Sequence, residues 1–441
     1  MRPDPVQLMS TRLLWRSGST KTASFQAGLL LLVLLMGEVQ TCRSDAGSFV
    51  AEVWLGMYSD MWSSDRQTWS HQVDELFTSL REAGIDTIYF MVKDPWGYVY
   101  YESKYAPLPP KYNWDLLKEV VAKARAHNLK IHPYVNALAE GESQPDFYLC
   151  DHPDMAIISA SGEGGWVDPS NTEYVDRLLS IVEEIATNYD IDGIQLDRIR
   201  MPGRVIRAKA SEELYKQLTG LSPEDDDNRW QGFIRDQVTQ VVARVSERIR
   251  PISEDLTFSA AVFPSPSSAR ANQLQDWSKW VEEGYVDYVC TMAYAEGILT
   301  FKSYVDEEMK GSIPSKLHVG IAAYLLRGTD LSLQMKYVVL DSGLPGVVFF
   351  NGDALASNED LLSAIAKGKE GQFEEKSPSG FLLMGAGVLA VAGILAVLAL
   401  ARMRRKSTNK IAAAVAIRRH ARVDRCIFRR FPQQFGMQHR C

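Results

Sequence analysis

Asp197 is the residue from which a chemical reading of this sequence starts. It ends a short β-rich run, Gly193–Asp197, and Arg198 and Arg200 follow almost at once. A carboxylate at the tip of a strand costs free energy unless it is hydrogen-bonded or put to use, and two neighbouring guanidinium groups could hold it ionised. Carboxylates in pairs suit the cleavage of acetal bonds. One protonates the leaving oxygen, and the other acts as nucleophile or base. The second member is sought near the same strand ends. Glu296, just past a later strand run, is the first choice, with Asp94 and Glu140 as rivals. The run Phe258–Pro264 carries no carboxylate, so no acid comes from it. The expectation is a catalytic pair of Asp197 and Glu296, with Asp94 orienting the substrate.

These residues need a frame that brings them together. Between Glu52 and Lys367, short β-rich runs alternate with longer stretches of helical periodicity. The strand candidates are Val53–Tyr58, Thr87–Lys93, Lys130–Asn136, Gly193–Asp197, Leu256–Phe263, Val286–Tyr294, Leu317–Tyr324 and Gly346–Asn351. Helices are expected at Trp69–Ala83, Trp114–His127, Thr172–Asn188, Asp225–Arg250, Leu274–Glu283, Thr300–Met309, Leu331–Ser342 and Asn358–Lys367. Ser170 and Glu173 have the spacing of a capping box at the start of the third helix, which makes Asp168-Pro169 readable as a purely structural turn. Eight such units predict a closed (β/α)8 TIM barrel over residues 47–369. An open doubly wound sheet fits less well, because no Gly-rich phosphate turn follows the first strand.

Side chains alternate along a strand, so one set faces the barrel interior. In the fourth strand that set is Gln195 and Asp197. The same parity brings Tyr134, Asn136, Met292, Tyr294, Tyr324 and Asn351 to the C-terminal rim, where barrels of this kind carry function. With Arg200 and Trp96 they form a rim rich in aromatic, amide and charged groups, suited to binding sugars. Trp62 and Trp166 lie in nearby loops and extend the platform. The bland alternatives stay open: Tyr134, Met292 and Tyr324 can simply fill the barrel, and Asp197 can be a structural carboxylate clamped by Arg200. His132 reads as a satisfied interior residue rather than a base.

The chain has 441 residues and a net charge of −7, but the charge is uneven. From Arg402 onward there are 12 Lys/Arg and one Asp, which leaves the rest strongly acidic. An acidic body argues against nucleic acid as a partner. The apolar stretch Ala27–Gly37, behind Arg16 and Lys21, has the pattern of a secretory leader ending near Ala46. Phe381–Ala401 is free of charge and long enough to cross a bilayer. The Arg cluster after it predicts a cytoplasmic tail over 402–441, with the body outside and residues 370–380 as linker. The cysteines show no metal-ligand spacing, Cys290 reads as a small buried hydrophobe, and no cofactor is implied.

The fourth strand also carries a resemblance. The segment from Tyr189 to Pro202 (YDIDGIQLDRIRMP) resembles the signature of a glycosyl-hydrolase-like domain family and of family-10-like glycosyl-hydrolase lipoproteins. Val92-Lys93-Asp94, His132 to Asn136, Trp166 to Pro169, Met292-Ala293-Tyr294 and Gly346 to Asn351 agree with it, in order, across almost the whole outer domain. The resemblance implies a TIM barrel acting on glycosidic bonds of a surface polysaccharide. More distantly, the sequence is similar to barrels that cut polyglucosamine, whose essential Asp ends the fourth strand, where Asp197 stands here. Chitinase-like enzymes carry Asp-Gly-x-Asp-x-Asp-x-Glu at this strand. Here Gln195 replaces the middle Asp and Ile199 replaces the acid Glu, so a chitinase mechanism with its acid on this strand is not implied. A non-catalytic glycan-binding barrel and a structural envelope protein remain as alternatives, since a fold alone does not fix a function.

Overall fold

Eight strands follow one another around a ring. They are β1 (Val50–Leu55), β2 (Thr87–Lys93), β3 (Lys130–Asn136), β4 (Gly193–Asp197), β5 (Thr257–Val262), β6 (Tyr288–Thr291), β7 (Leu317–Ala322) and β8 (Gly346–Phe350). Each pairs in parallel with the next, and β8 returns to β1, which closes the barrel. The computed structural model describes residues 49–373 other than 58, 59, 142 and 312. The expected leader, most of the linker, the apolar segment 381–401 and the basic tail therefore lie outside the described residues. Among the described residues, no helix is long and apolar enough to cross a membrane.

The helices that clothe the ring are α1 (Arg66–Glu82), α2 (Leu116–Ala126), α3 (Thr172–Asn188), α4 (Asp227–Ile249), α5 (Trp277–Glu282), α6 (Ile298–Lys310), α7 (Gly328–Lys336) and α8 (Glu359–Lys369). Their local logic is visible in α1. Asp65 accepts the Thr68 amide at 2.9 Å and so caps the first turn. Trp69, Val73, Leu76, Phe77 and Leu80 then recur at helical spacing and are buried against the strands. Helix α3 starts where the sequence indicates, but its cap is Asn171, which accepts the Tyr174 amide at 2.9 Å. The expected capping box does not form, because Ser170 is turned elsewhere. Its amide donates to Asp168 Oδ1 at 3.0 Å and its hydroxyl accepts from Ser211 at 2.8 Å. Asp168 also accepts the Ser211 amide at 2.9 Å, in keeping with the structural-turn reading.

Strand boundaries moved where polarity misled the pattern. The first strand begins at Val50 rather than Val53, because Glu52 interrupts the apolar run in sequence yet is buried inside the ring. The sixth ends at Thr291, before the expected Tyr294, where the Tyr294 amide turns back to the Met292 carbonyl at 2.8 Å. Two additions have weak sequence signals. A two-stranded antiparallel ribbon joins Ile158–Ser159 to Val205–Arg207, and a helix spans Lys209–Thr219. Both sit in the connections after β3 and β4.

The barrel interior is unusually polar. Inward positions hold Glu52, Tyr89, His132, Gln195, Ser259, Tyr288, Cys290 and His318, packed around Trp54. Gln195 is saturated: its Oε1 accepts Trp54 Nε1–H at 2.6 Å, and its Nε2 approaches Ser259 Oγ at 3.1 Å. Room for the indole comes from Gly320, where an added methyl would lie 2.1 Å from the Thr291 carbonyl oxygen and 3.0 Å from the Trp54 ring. Gly320→Ala therefore overfills the ring. It is expected to destabilise the domain by roughly 1–3 kcal/mol in urea unfolding. Gly232→Ala is the control. Its methyl meets only a flexible Arg235 end at 3.5 Å on helix α4, and it should stabilise by about 0.5–1 kcal/mol. Equal effects of the two substitutions would disprove the packing account.

Candidate active site

Asp197 closes β4 at the C-terminal mouth with a partly exposed side chain. Four hydrogen bonds fix the chain around it. The Ala137 amide donates to the Asp197 carbonyl at 2.8 Å, and the Leu138 amide donates to the Arg198 carbonyl at 3.3 Å. Farther on, the Met201 amide donates to the Gln273 carbonyl at 2.8 Å, and Gln275 Nε2 donates to the Ile199 carbonyl at 3.2 Å. The tail of β4 is thus held between the connections after β3 and β5. Arg198 adopts φ +48°, a left-handed conformation that is costly for a side chain of its size. That turn brings its amide to Asp197 Oδ1 at 2.6 Å.

Arg200 approaches the same oxygen at 3.5 Å, as an ion pair without a well-aligned hydrogen bond. Its guanidinium lies over the rings of Phe263 and Trp166, at 5.1 and 5.5 Å from their centroids. Burial draws its pKa down and the Asp197 charge opposes that. Glu163 also acts on Arg200 through its charge, and its Oε2 accepts Trp166 Nε1–H at 2.9 Å. Glu163 is a carboxylate that the sequence did not single out. It comes from the long connection after β3, which has no strand parity to follow.

The aromatic rim differs in detail from the expected one. Tyr294 stacks on Phe350, with centroids 5.4 Å apart, and meets Trp54 edge-on at 6.5 Å. Tyr324, 53% exposed, stands edge-on to Phe350. Burial, and then the nearby Asp197 charge, pushes the Tyr294 phenol well above its usual pKa, so it stays a neutral donor beside that carboxylate. Trp54 and Phe350 were not singled out, although both face inward near strand ends. Trp96 is partly exposed, whereas Trp62 and Trp166 are buried.

Other expected binding groups lie below the surface. Tyr134, Asn136 and Gln195 are buried, and Asn136 Nδ2 donates to the Lys93 carbonyl at 2.7 Å. Asn351 caps the short helix Gly352–Ala356, its Oδ1 accepting the Ala354 amide at 3.2 Å. Glu296 is exposed, one residue before the Gly297 cap of α6. Glu140 is sealed inside. Lys93 Nζ at 3.1 Å, Arg177 Nη1 at 2.9 Å and the Tyr174 hydroxyl at 2.8 Å all converge on its Oε1. Its task is to compensate a buried Lys93, which also donates to the Asn136 carbonyl at 2.9 Å.

The sequence profile of the glycosyl hydrolase-like 10 family matches residues 50–334, which is nearly the whole ring. The chain belongs to that family. Among curated relatives, glycosyl hydrolase DigH of Escherichia coli K12 is 27% identical over 255 residues, covering 49% of this chain and 56% of that protein. Glycosyl hydrolase YngK of Bacillus subtilis is 21% identical over 286 residues, covering 57% and 55%. The chain thus spans little more than half the length of these relatives. Among solved structures, the PgaB (BpsB) glycoside hydrolase domain of Bordetella bronchiseptica aligns with a TM-score of 0.58 at 15% identity, over 75% of this chain and 100% of that one. An α-L-fucosidase isoenzyme from Paenibacillus thiaminolyticus gives 0.56 at 14% identity, over 73% and 49%. These two likenesses are of fold.

In this glycosyl hydrolase-like 10 domain, Asp94 organises the connection after β2. Its Oδ1 accepts the amides of Trp96 at 2.9 Å and Tyr98 at 3.0 Å, and its Oδ2 accepts the Tyr100 hydroxyl at 3.4 Å. Burial pushes its pKa up to about 7, against the pull of Lys93 and the two amides. The native state therefore keeps the Asp94 proton at pH values where the unfolded chain has released it. The stability this contributes is complete below about pH 4 and is lost as the pH rises towards 7. Asp94→Asn cannot ionise. Subtracting its urea-unfolding stability from that of the wild type should give a difference that falls between those pH values, by at most about 1.4 kcal/mol per unit. A flat difference would mean that Asp94 stays ionised in the fold.

Proposed function

We propose that the domain hydrolyses glycosidic bonds of a polysaccharide or oligosaccharide at the C-terminal mouth of its barrel. Asp197 is the nucleophile or charge stabiliser and Glu296 the acid. The observation that carries this reading is a partly exposed carboxylate at the tip of β4, held by Arg200 and flanked by the neutral phenol of Tyr294. An oxocarbenium-like transition state needs a fixed negative charge close by. Tyr294, Phe350 and Tyr324 offer ring faces and edges to a sugar. Membership of a glycosyl hydrolase-like family supports the reaction class. Glu296 is the rim carboxylate free to meet solvent, whereas Asp94 and Glu140 are enclosed. That enclosure also favours a second reading, a barrel that binds glycans without cutting them.

Reducing-end release from a glycan panel separates the two. Cleavage by the wild type, reduced about a thousand-fold or more in Asp197→Asn, is expected. Glu296→Gln should lose about a hundred-fold on natural linkages and far less on an aryl glycoside whose leaving group needs no proton. Binding without any release would establish the second reading, and full activity in Asp197→Asn would remove Asp197 from the mechanism.

We also propose that the domain is displayed outside the cell, anchored by Phe381–Ala401 with the Arg-rich tail inside. Support comes from the charge asymmetry of that segment. Protease added to intact cells, or to cells with a permeabilised outer envelope, should remove the barrel and leave the tail. A tail cleaved while the barrel survives would reverse the orientation.

A further inference from the structure

We propose that Glu52, Cys290 and His318 form a divalent-metal site, fitted to zinc, in the half of the barrel opposite the Asp197 mouth. The three residues come from β1, β6 and β7 and all point inward. Their ligand atoms lie within 4.8 Å of one another. None of the three is more than 9% exposed. A carboxylate, an imidazole and a thiol are a zinc donor set, whereas calcium and magnesium call for oxygen throughout. Three protein ligands also leave the fourth tetrahedral position to solvent.

The site is built rather than incidental. Glu52 Oε1 accepts the Tyr89 hydroxyl at 2.9 Å, which leaves Oε2 for the centre of the cluster. Oε2 lies 2.5 Å from His318 Nδ1. The His318 ring stacks on Tyr288 at 4.2 Å, so its orientation is fixed without any metal. Cys290 Sγ lies 3.3 Å from the Tyr89 hydroxyl and 3.2 Å from Gln195 Nε2, two groups that steady a sulfur ligand. Gly346 makes the space: a methyl there would come 2.5 Å from His318 Cγ. Access is from the N-terminal end, where a cavity of about 450 Å³ is lined by Glu52, His318, His132 and Tyr288 among others. Neutral His132, its pKa lowered to about 4 by burial, does not repel an incoming cation there.

Binding requires a defined exchange. The hydrogen bond between Glu52 and His318 opens, and the imidazole proton moves from Nδ1 to Nε2, which frees the Nδ1 lone pair for the metal; the one proton released, that of Cys290, leaves through the cavity. The Cys290 thiol loses its proton as the metal–sulfur bond forms, so the metal overcomes the burial that otherwise favours the neutral thiol. Metal–oxygen and metal–nitrogen bonds complete the set with one solvent molecule. No electron is transferred. The bonds tie β1, β6 and β7 together across β8, so the effect is on stability rather than on chemistry at Asp197.

The test uses the full chain in detergent, stripped with a chelator and titrated with Co²⁺. One equivalent should produce a near-ultraviolet thiolate-to-cobalt band and the visible bands of a tetrahedral ion, and Zn²⁺ should abolish both. Zn²⁺ should also raise the midpoint of thermal unfolding. Cys290→Ser should lose the thiolate band, and His318→Gln should lose the tetrahedral bands. No thiolate band in the wild type, or one that survives in Cys290→Ser, overturns the proposal. The wild-type spectrum decides the matter even where the variants fail to fold.

Discussion

Residues Val50 to Trp54 of β1 lie in parallel register against Gly346 to Phe350 of β8. Without that pairing, both strands would keep an open edge, and the sheet would have no inside. With it, every second side chain is committed to a closed interior, whatever its polarity. This explains how Glu52, His132 and His318 come to be buried at all. They are placed by alternation, and their cost is met by one another and by Tyr89 and Tyr288. It also explains why the rim is the place for chemistry. There an inward side chain such as Asp197 meets solvent.

The interior is organised by charge compensation as much as by apolar packing. Lys93 is fully buried at the end of β2, and breaking its pairing would strand a charge in a dry place. Glu140, Arg177 and Tyr174 assemble around it and tie the connection after β3 to helix α3. Gly97 is part of this arrangement. It adopts φ +90°, and a methyl there would lie 2.4 Å from the second Glu140 oxygen. The connection after β2 can therefore close over the network only with glycine at that point.

Much of the frame was legible in the sequence because it obeys simple periods. Strands β2, β3 and β4 and helix α3 fall on their expected bounds. β1 was less legible because Glu52 sits inside it. The site was legible only in part. Parity brought Asp197 and Gln195 to the inner face, but it could not tell a rim position from one buried two residues deeper. Gln195 and Asn136 thus turned out to be core. Tyr294 and Tyr324 reach the mouth from turns beyond their strands, where alternation no longer applies. The cluster of Glu52, Cys290 and His318 has no spacing signature, because its members are neighbours only after the ring has closed.

The packing of Arg200 over Phe263 and Trp166 has a consequence for how the mouth tolerates change. A guanidinium lying over two aromatic rings is oriented largely by their faces, and a lysine ammonium could not inherit its place. The two rings come from the connections after β5 and β3, so the potential felt by the carboxylate on β4 is set by loops that never touch it. Sequence drift in those loops would therefore change how the guanidinium is held beside the carboxylate without altering β4 itself.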